Sequence, residues 1–325
     1  ILIGKATSDY NDFLLNFIFY LILAPAIASV LHKFLYVSSS SMRVSGGVES
    51  FDEMMVLPEL AETRRGKEPS DGTVSFQDVS FSYSGDDTLA LSEVSFTARE
   101  GEVTAIVGTS GGGKSTIAHL IPRFWDVSKG RICIGDVDIR EMTERDLMRQ
   151  VSLVFQDVYL FNQSIRDNIK IGIPEASDEE VVRAAKAACC DEFIESLPNG
   201  YDTVLGEGGV HLSGGEAQRI SIARAIIRNT PILVLDEATA FADPENERLI
   251  QTALRKLMKG RTVIIIAHRL GTIKDADNIL VMDKGKLVES GTHSDLLQAK
   301  GVYSDMWMRY TQSLEWGIGK EEVAL

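Results

Sequence analysis

The sequence predicts an α/β fold organised around a phosphate-binding loop, with one transmembrane helix ahead of it. The loop, at residues 108–116, stands between the apolar runs 103–107 and 117–121, as a turn from a strand into a helix does. A second apolar run, at 232–235, ends in two carboxylates. Near the start of the chain, residues 13–31 include no charged side chain. Together these observations predict a parallel sheet with ligand-binding loops at one edge and a membrane segment before it.

The composition is that of an ordinary globular chain, with 325 residues of which 44% are hydrophobic and 25% charged. The net charge of −14 argues against nucleic acid as a partner, because such binding needs clustered Lys and Arg. Cys133, Cys189 and Cys190 lack metal-ligand spacing, and an adjacent pair is a poor disulfide framework, so we expect reduced thiols. The chain begins at Ile1 without a signal peptide, and we expect it to be the later part of a longer protein.

The apolar run at 13–31 is long enough to cross a bilayer. As a helix it would span about 28 Å, close to the thickness of the hydrocarbon core. A buried helix of a soluble protein is the alternative. Pro25 lies within the run, where membrane helices tolerate it. Positive residues are more frequent after the run than before it, which predicts that its C-terminal side faces the cytoplasm.

Further elements follow from local patterns. Apolar spacing from about 34 to 61 suggests that the helix continues past the membrane, and Gly and Pro mark a linker before residue 73. The predicted strands are 74–76, 79–83, 91–98, 131–134, 151–155, 232–236, 262–267, 279–282 and 286–289. The predicted helices are 115–124, several within 165–196, 213–228, 244–258 and two short ones before a loose tail at 321–325.

The phosphate-binding loop has the pattern G-x-x-x-x-G-K-[ST]. Its glycines let the backbone curl so that successive N–H groups point at phosphate oxygens. Lys114 would reach the β- and γ-phosphates, and Ser115 would hold Mg²⁺. A glycine-rich connecting loop is the alternative. The candidate phosphate-binding residues are Gly108, Thr109, Ser110, Gly111, Gly112, Gly113, Lys114, Ser115 and Thr116.

Two carboxylates, Asp236 and Glu237, follow the apolar run at 232–235. They therefore emerge at the carboxyl end of a buried parallel strand, where such sheets bind ligands. Asp236 would bind Mg²⁺ through its water shell, and Glu237 would orient or deprotonate the attacking water. An ordinary strand end is the alternative.

A second anion-binding helix start is predicted at 212–216. Ser213 is a natural N-cap, Gly214 and Gly215 expose backbone donors, and Glu216 lies in the first helical turn. A capped surface helix is the alternative. Because one γ-phosphate would already be surrounded by the first loop, the second site would take its phosphate from another chain in a symmetric dimer.

The order of these motifs resembles the ATP-binding cassette (ABC) transporter family, in the half-transporter form that fuses six membrane helices to one nucleotide-binding domain. The resemblance covers about residues 73–309. It identifies 108–116 as the Walker A loop, 212–216 as the signature sequence and 232–237 as Walker B with catalytic Glu237. It also implies an adenine-stacking role for Tyr83, contact of Gln156 with Mg²⁺ and the membrane domain, a γ-phosphate contact for His268, and nucleotide binding by Asp243.

One segment departs from the family pattern. The family usually has Ser-Ala-Leu-Asp after Walker B, whereas Ala240, Phe241, Ala242 and Asp243 stand here. The missing serine bears on communication between two ATP sites, but no catalytic group is lost.

The resemblance implies an α/β P-loop NTPase of the ABC type, with an antiparallel β subdomain and a helical subdomain, preceded by one long transmembrane helix. The expected domains are 1–62 for the last membrane helix and its extension, 63–72 for the linker, 73–310 for the nucleotide-binding domain and 311–325 for the tail. ATP and Mg²⁺ are the implied cofactors. The full-length protein would be a multi-pass cell-membrane protein with its nucleotide-binding domain in the cytoplasm.

The implied function is an ATPase motor that drives translocation, with export favoured, through head-to-tail dimerisation with a second half-transporter chain. Homodimer and heterodimer stay open. A siderophore importer of exporter-like architecture and a soluble ABC ATPase acting on nucleic acid or ribosomes are alternatives; the apolar run at 13–31 and the acidic charge speak against the soluble one. A P-loop kinase would have no use for residues 212–216.

Overall fold

The computed structural model describes residues 10–55, 60, 63, 66–83, 88–155, 157–206, 209–236, 244–267 and 270–321. It divides into two compact units, Ile1–Leu60 and Ala61–Leu325. In the first unit the described structure is a single helix, α1 (Tyr10–Met55), of 46 residues, which continues through Pro25. At 1.5 Å per residue α1 is about 69 Å long. Its segment Asp12–Asp52, which contains an 18-residue window with a mean hydropathy of 2.2, is long and apolar enough to cross a membrane.

The second unit contains ten strands and nine helices among the described residues. The strands are β1 (Val74–Phe81), β2 (Leu91–Ala98), β3 (Val103–Gly108), β4 (Lys129–Ile134), β5 (Val137–Asp138), β6 (Val151–Val154), β7 (Ile232–Asp236), β8 (Thr262–Ile266), β9 (Asn278–Asp283) and β10 (Lys286–Gly291). The helices are α2 (Lys114–Leu120), α3 (Glu144–Gln150), α4 (Ile165–Lys170), α5 (Asp178–Ala187), α6 (Asp191–Ser196), α7 (Gly214–Arg228), α8 (Pro244–Met258), α9 (His293–Ala299) and α10 (Val302–Glu321).

The strands form two sheets. One is antiparallel, with the order β2-β1-β4-β5, and the other has the order β10-β9-β3-β8-β7-β6. In the second sheet, β6, β7, β8, β3 and β9 are parallel, and β10 is antiparallel to β9. The carboxyl ends of the five parallel strands therefore meet at one edge. The α/β fold with an antiparallel β subdomain is confirmed.

The parallel sheet is buried on both faces, which explains why its strands are continuous apolar runs rather than alternating ones. Alternate residues of β7 face opposite sides of the sheet. Ile232 and Val234 belong to the core that includes the antiparallel sheet and α2. Leu233 and Leu235 belong to the core that includes the helices of the 165–258 region. A third core packs residues of β3 and β9 against α9 and α10. The sheet is thus held between layers, and its loop edge is fixed from both sides.

The C-terminal region differs from the two short helices expected from the sequence. The last helix, α10, has 20 residues and reaches Glu321, so it includes much of the segment expected as a tail. Two backbone N–H groups at its start, those of Val302 and Tyr303, donate to the carboxylate of Glu289. Trp307 packs edge-on against His293 with ring centroids 4.5 Å apart. The cap from Glu289 and the aromatic contact therefore anchor the start of α10, which local propensity does not indicate.

The segment expected as a linker at 63–72 is attached to the second unit where it is described. The backbone N–H of Lys67 donates to the Glu141 carbonyl at 3.1 Å. The N–H of Ser70 donates to Asp136 Oδ1 at 3.2 Å, and the hydroxyl of Thr63 donates to the Arg140 carbonyl at 2.7 Å. Composition marks such a segment as irregular, but its partners lie about seventy residues away and leave no local signal.

Candidate functional site

The phosphate-binding loop connects β3 to α2 at the carboxyl edge of the parallel sheet. Gly108 has φ of +147°, and a Cβ there would lie 1.9 Å from the Met282 carbonyl oxygen. Gly113, the N-cap of α2, has φ of +93°, and a Cβ there would lie 2.7 Å from Leu91 Cδ2. Both positions combine a left-handed backbone with a close approach, so only glycine fits them. The turn is closed by the Gly112 N–H, which donates to the Thr109 carbonyl at 3.0 Å.

Lys114 lies at the centre of this loop. Its side chain is buried, at 5% exposure, and its Nζ donates to the carbonyls of Gly108 at 3.1 Å and Thr109 at 2.8 Å. These bonds hold the ammonium group inside the turn. The loop therefore presents a fixed positive charge beside its backbone N–H groups, as phosphate binding requires.

The β9–β10 turn is hydrogen-bonded to the phosphate-binding loop. The hydroxyl of Thr109 donates to Asp283 Oδ1 at 3.1 Å, and the N–H of Gly285 donates to the Gly112 carbonyl at 3.2 Å. The sequence predicts the two strands of this hairpin but not their contact with the loop. A contact between segments about 170 residues apart has no signature in local sequence.

Tyr83 shares a cleft with the loop. The cleft has a volume of about 410 Å³ and is lined by Tyr83, Ala90 and residues 110–116. The Tyr83 hydroxyl donates to Thr116 Oγ1 at 3.2 Å, and its ring is half exposed. Trp125 and Phe81 support the ring edge-on, with centroids 5.2 and 4.8 Å away. The structure thus brings together an aromatic platform and a phosphate-binding loop.

Two of the predicted Mg²⁺ ligands lie at the same sheet edge. Ser115 is in the first turn of α2, and Asp236 ends β7 with one carboxylate oxygen buried. Asp236 pairs in register with Ile266 of β8, the strand beside β3. A hydroxyl and a carboxylate are hard oxygen donors, which fit Mg²⁺.

Four predicted site residues lie outside the described part of the chain: Gln156, Glu237, Asp243 and His268. Each adjoins a described element in sequence. Gln156 follows Phe155 at the end of β6, Glu237 follows β7, His268 follows Ala267 after β8, and Asp243 precedes α8. Three of them therefore follow parallel strands at their carboxyl ends.

The motif at 212–216 forms a capping box at the start of α7. The N–H and the hydroxyl of Ser213 both donate to Glu216 Oε2 at 2.8 Å, and the N–H of Glu216 donates back to Ser213 Oγ at 3.4 Å. Gly215 faces α8, where a Cβ would lie 2.8 Å from Asn246 Cγ. Of these described residues, none lines the cleft that contains Tyr83 and the phosphate-binding loop.

The family model described as "ABC transporter" matches residues 91–240, a range that includes the loop, the capping box and β7. The chain carries an ABC transporter ATPase domain. Its structure is similar to that of a bacterial Atm1-family ABC exporter with ATP bound, with a TM-score of 0.74 and 44% identity over 82% of this chain and 47% of that one.

Sequence relatives of the ABC ATPase domain include YgaD of Bacillus subtilis, whose name describes a multidrug export ATP-binding/permease protein. It is 51% identical over 73% of this chain and 41% of its own. The ATP-dependent lipid A-core flippases of Pseudomonas aeruginosa and Chromohalobacter salexigens are 48% and 44% identical, over 82% and 92% of this chain and 45% and 52% of theirs. The chain spans about half the length of these curated relatives.

Two buried polar residues of α7 tie this helix of the ABC ATPase domain to other site segments. Gln218 is 0% exposed and donates from Nε2 to the carbonyl of Phe155, the residue before Gln156, at 3.2 Å. Arg219 is also buried and donates to the side chain of Asn246 on α8. Neither residue belongs to a motif that the sequence pattern singles out. The sequence does contain one indication of their role: a Gln and an Arg occupy positions on the face of the helix that is otherwise apolar and faces the core.

A second polar pair fixes the loop that follows Gln156 in the ABC ATPase domain. Asn168, at 0% exposure, bonds to both the N–H and the carbonyl of Phe161, at 2.9 and 3.0 Å. Arg224 of α7 donates to the carbonyls of Asn168 and Tyr159, each at 2.7 Å. Burial lowers the pKa of Arg224 to about 10, which leaves it charged at pH 7. A partly buried cation thus anchors this loop to the helix that begins at Ser213.

Proposed function

We propose that this chain is the ATP-hydrolysing part of an ABC exporter, in which its ATPase domain works in the cytoplasm and α1 is a membrane helix. The names of the relatives, which describe multidrug export and lipid A-core flipping, support export. The apolar segment Asp12–Asp52 supports attachment to a membrane.

Within the proposed site, each residue has a chemical role. The ring of Tyr83 stacks on the adenine, and the loop with Lys114 binds the β- and γ-phosphates. Ser115, Asp236 and Gln156 hold Mg²⁺, which offsets the phosphate charge when it is bound. Glu237 accepts a proton from the attacking water. His268 donates to the γ-phosphate.

We further propose that the site is completed by a second chain, either a copy of this one or a related half-transporter. The observation that carries this proposal is the separation of two phosphate-binding motifs. The cleft contains Tyr83 and the loop with Lys114, but the described residues 212–216 lie outside its lining. In a two-fold dimer, residues 212–216 of each chain would cover the cleft of the other, with Asp243 beside the contact.

In that arrangement, the hydroxyl of Ser213 and the N–H groups of Gly214 and Gly215 donate to the γ-phosphate bound by the partner chain. These donors stabilise charge that develops on the phosphoryl oxygens during transfer. ATP thereby holds the two domains together, and its hydrolysis releases them.

Complementation between two inactive variants tests the composite site. Lys114→Ala removes the phosphate-binding charge, and Ser213→Arg blocks the motif that covers the partner's cleft. A heterodimer of the two keeps one intact site, formed by the loop of the Ser213→Arg chain and the motif of the Lys114→Ala chain. We expect ATPase activity in the heterodimer, isolated through two different affinity tags, and none in either homodimer.

The matched control is a heterodimer of the parent chain with a Lys114→Ala/Ser213→Arg double variant, in which both composite sites are spoiled. Activity in this control would show that each chain works alone and would contradict the proposal. If both isolated heterodimers are equally inactive, the proposal that a single intact composite site supports hydrolysis is also contradicted.

A further inference from the structure

Glu216 accepts from one of the three donors that the proposed composite site would use, the hydroxyl of Ser213. Its Oε2 accepts from both the N–H and the hydroxyl of Ser213, each at 2.8 Å. These bonds form a complete capping box, so the carboxylate has a defined position rather than a freely rotating one. A full negative charge therefore lies within hydrogen-bond distance of the hydroxyl expected to meet a phosphate.

The hydroxyl of Ser213 has a single hydrogen. It can donate to Glu216 or to an incoming phosphate oxygen, but not fully to both. A charged acceptor also forms a stronger hydrogen bond than a neutral one. A γ-phosphate that approaches Ser213 must therefore displace the carboxylate from the hydroxyl and tolerate its charge a few ångströms away.

We propose that Glu216 is a positioning residue that weakens ATP-dependent dimerisation, because its carboxylate competes with the γ-phosphate of the partner chain for Ser213. This inference rests on the proposed composite site. In this role Glu216 does not bind the phosphate. It sets the ATP concentration at which the two chains close, and neutralising it lowers that concentration.

The chain contains a matched control for this charge. Helix α5 begins with the same capping box, in which the Ser177 N–H donates to Glu180 Oε2 at 2.8 Å and the Glu180 N–H donates to Ser177 Oγ at 3.3 Å. The family's signature segment is at 212–216, so Glu180 is outside the proposed site. Glu180→Gln and Glu216→Gln therefore remove the same charge from the same type of capping box, and only the second acts beside the phosphate. Glu180 also lies 3.8 Å from Arg183, an exposed ion pair that contributes little.

The experiment measures ATP-driven dimerisation of the full chain in detergent, in a Glu237→Gln background that slows hydrolysis. We expect Glu216→Gln to lower the ATP concentration for half-maximal dimer formation by about three- to tenfold. Glu180→Gln should change it less than about twofold. Glu216→Asp keeps the charge, and the Thr292–Asp295 box of α9 shows that Asp can close this motif. This variant should therefore lower the half-maximal ATP concentration less than Glu216→Gln does.

Salt gives a readout that a purely structural role would not change. Raising NaCl from about 0.05 to about 0.5 M should shrink the advantage of Glu216→Gln, since the repulsion it removes is screened. Circular dichroism and thermal unfolding check that the variants fold equally. If Glu216→Gln does not fold, Glu216→Ala, which also lacks the charge, has the same expected direction.

An unchanged or higher half-maximal ATP concentration for Glu216→Gln would overturn the inference while leaving the composite site intact. An equal shift for Glu180→Gln, or an advantage that salt does not reduce, would overturn it as well. Absence of any ATP-dependent dimer in the parent would contradict the composite site itself, and the role of Glu216 with it.

Discussion

Tyr83 provides a test that separates recognition of the base from recognition of the phosphates. Its half-exposed ring lies in the cleft with the loop, and base–aromatic stacking contributes about 1–3 kcal/mol. We expect Tyr83→Ala to weaken ATP and ADP binding by about tenfold, measured by calorimetric titration. Inhibition by inorganic tripolyphosphate, which has no base, should be unchanged. Tyr83→Phe keeps the ring and should bind ATP like the parent. If Tyr83→Ala weakens tripolyphosphate binding as much as it weakens ATP binding, the stacking role is refuted.

Gly108 tests the geometry of the loop. Alanine there would place its Cβ 1.9 Å from the Met282 carbonyl oxygen, in a left-handed backbone conformation. We expect Gly108→Ala to lower the free energy of unfolding by about 2–4 kcal/mol and to abolish ATP binding. Gly101→Ala is the control, because its φ of +75° carries the backbone penalty with open space around the Cβ. Gly101→Ala should lower the free energy of unfolding by about 1 kcal/mol and leave ATP binding intact. If urea denaturation shows similar losses of stability in both variants, the close approach of Gly108 to Met282 is not what requires glycine.

At the residue scale, the candidate site was predictable where its parts are contiguous in sequence. The loop from Gly108, the cap at Ser213 and the carboxylate of Asp236 each carry their chemistry in a short stretch. Gln218 and Arg219 were missed because their partners, the Phe155 carbonyl and Asn246, are 63 and 27 residues away. A buried polar side chain shows its role only when the fold reveals what it bonds.

At the scale of elements, the loop after β6 depends on the pair of Asn168 and Arg224. Asn168→Leu keeps a similar volume but removes the partners of the Phe161 backbone and one acceptor of the Arg224 guanidinium. We expect the free energy of unfolding to fall by about 2–4 kcal/mol, since partly buried polar groups and a partly buried cation lose bonds. Asn199→Leu, at an exposed position without a side-chain cap bond, should change it by less than about 0.5 kcal/mol. Equal effects in urea denaturation would show that the pair is not structural.

The elements themselves were predictable to different degrees. Strand β7 (Ile232–Asp236) and helix α8 (Pro244–Met258) have the bounds that their apolar runs and flanking residues indicated. Strands β9 and β10 were also predicted, and Lys284 and Gly285 between them adopt the left-handed conformations that such a hairpin needs. The attachment of residues 66–72 and the anchoring of the start of α10 depend on partners in other elements, and local patterns could not indicate them.

At the scale of the whole molecule, the chain spans about half of its curated relatives and contains one candidate membrane helix among its described residues. A single helix cannot enclose a polar pathway through a bilayer. We therefore expect this chain, reconstituted alone in lipid vesicles, to show no ATP-dependent solute movement. A full-length ABC exporter in the same vesicles is the positive control. ATP-dependent uptake by this chain alone would contradict the expectation.

The length of α1 has a mechanical consequence. The helix is continuous for 46 residues, about 69 Å, which is more than twice the thickness of a hydrocarbon core. A rod of that length, tilted by about 10° around one end, moves its other end by about 12 Å. Leverage of this kind needs no bending and no new contact. A rotation too small to disturb side-chain packing at one end of α1 thus becomes, at the other end, a displacement wider than the helix backbone itself.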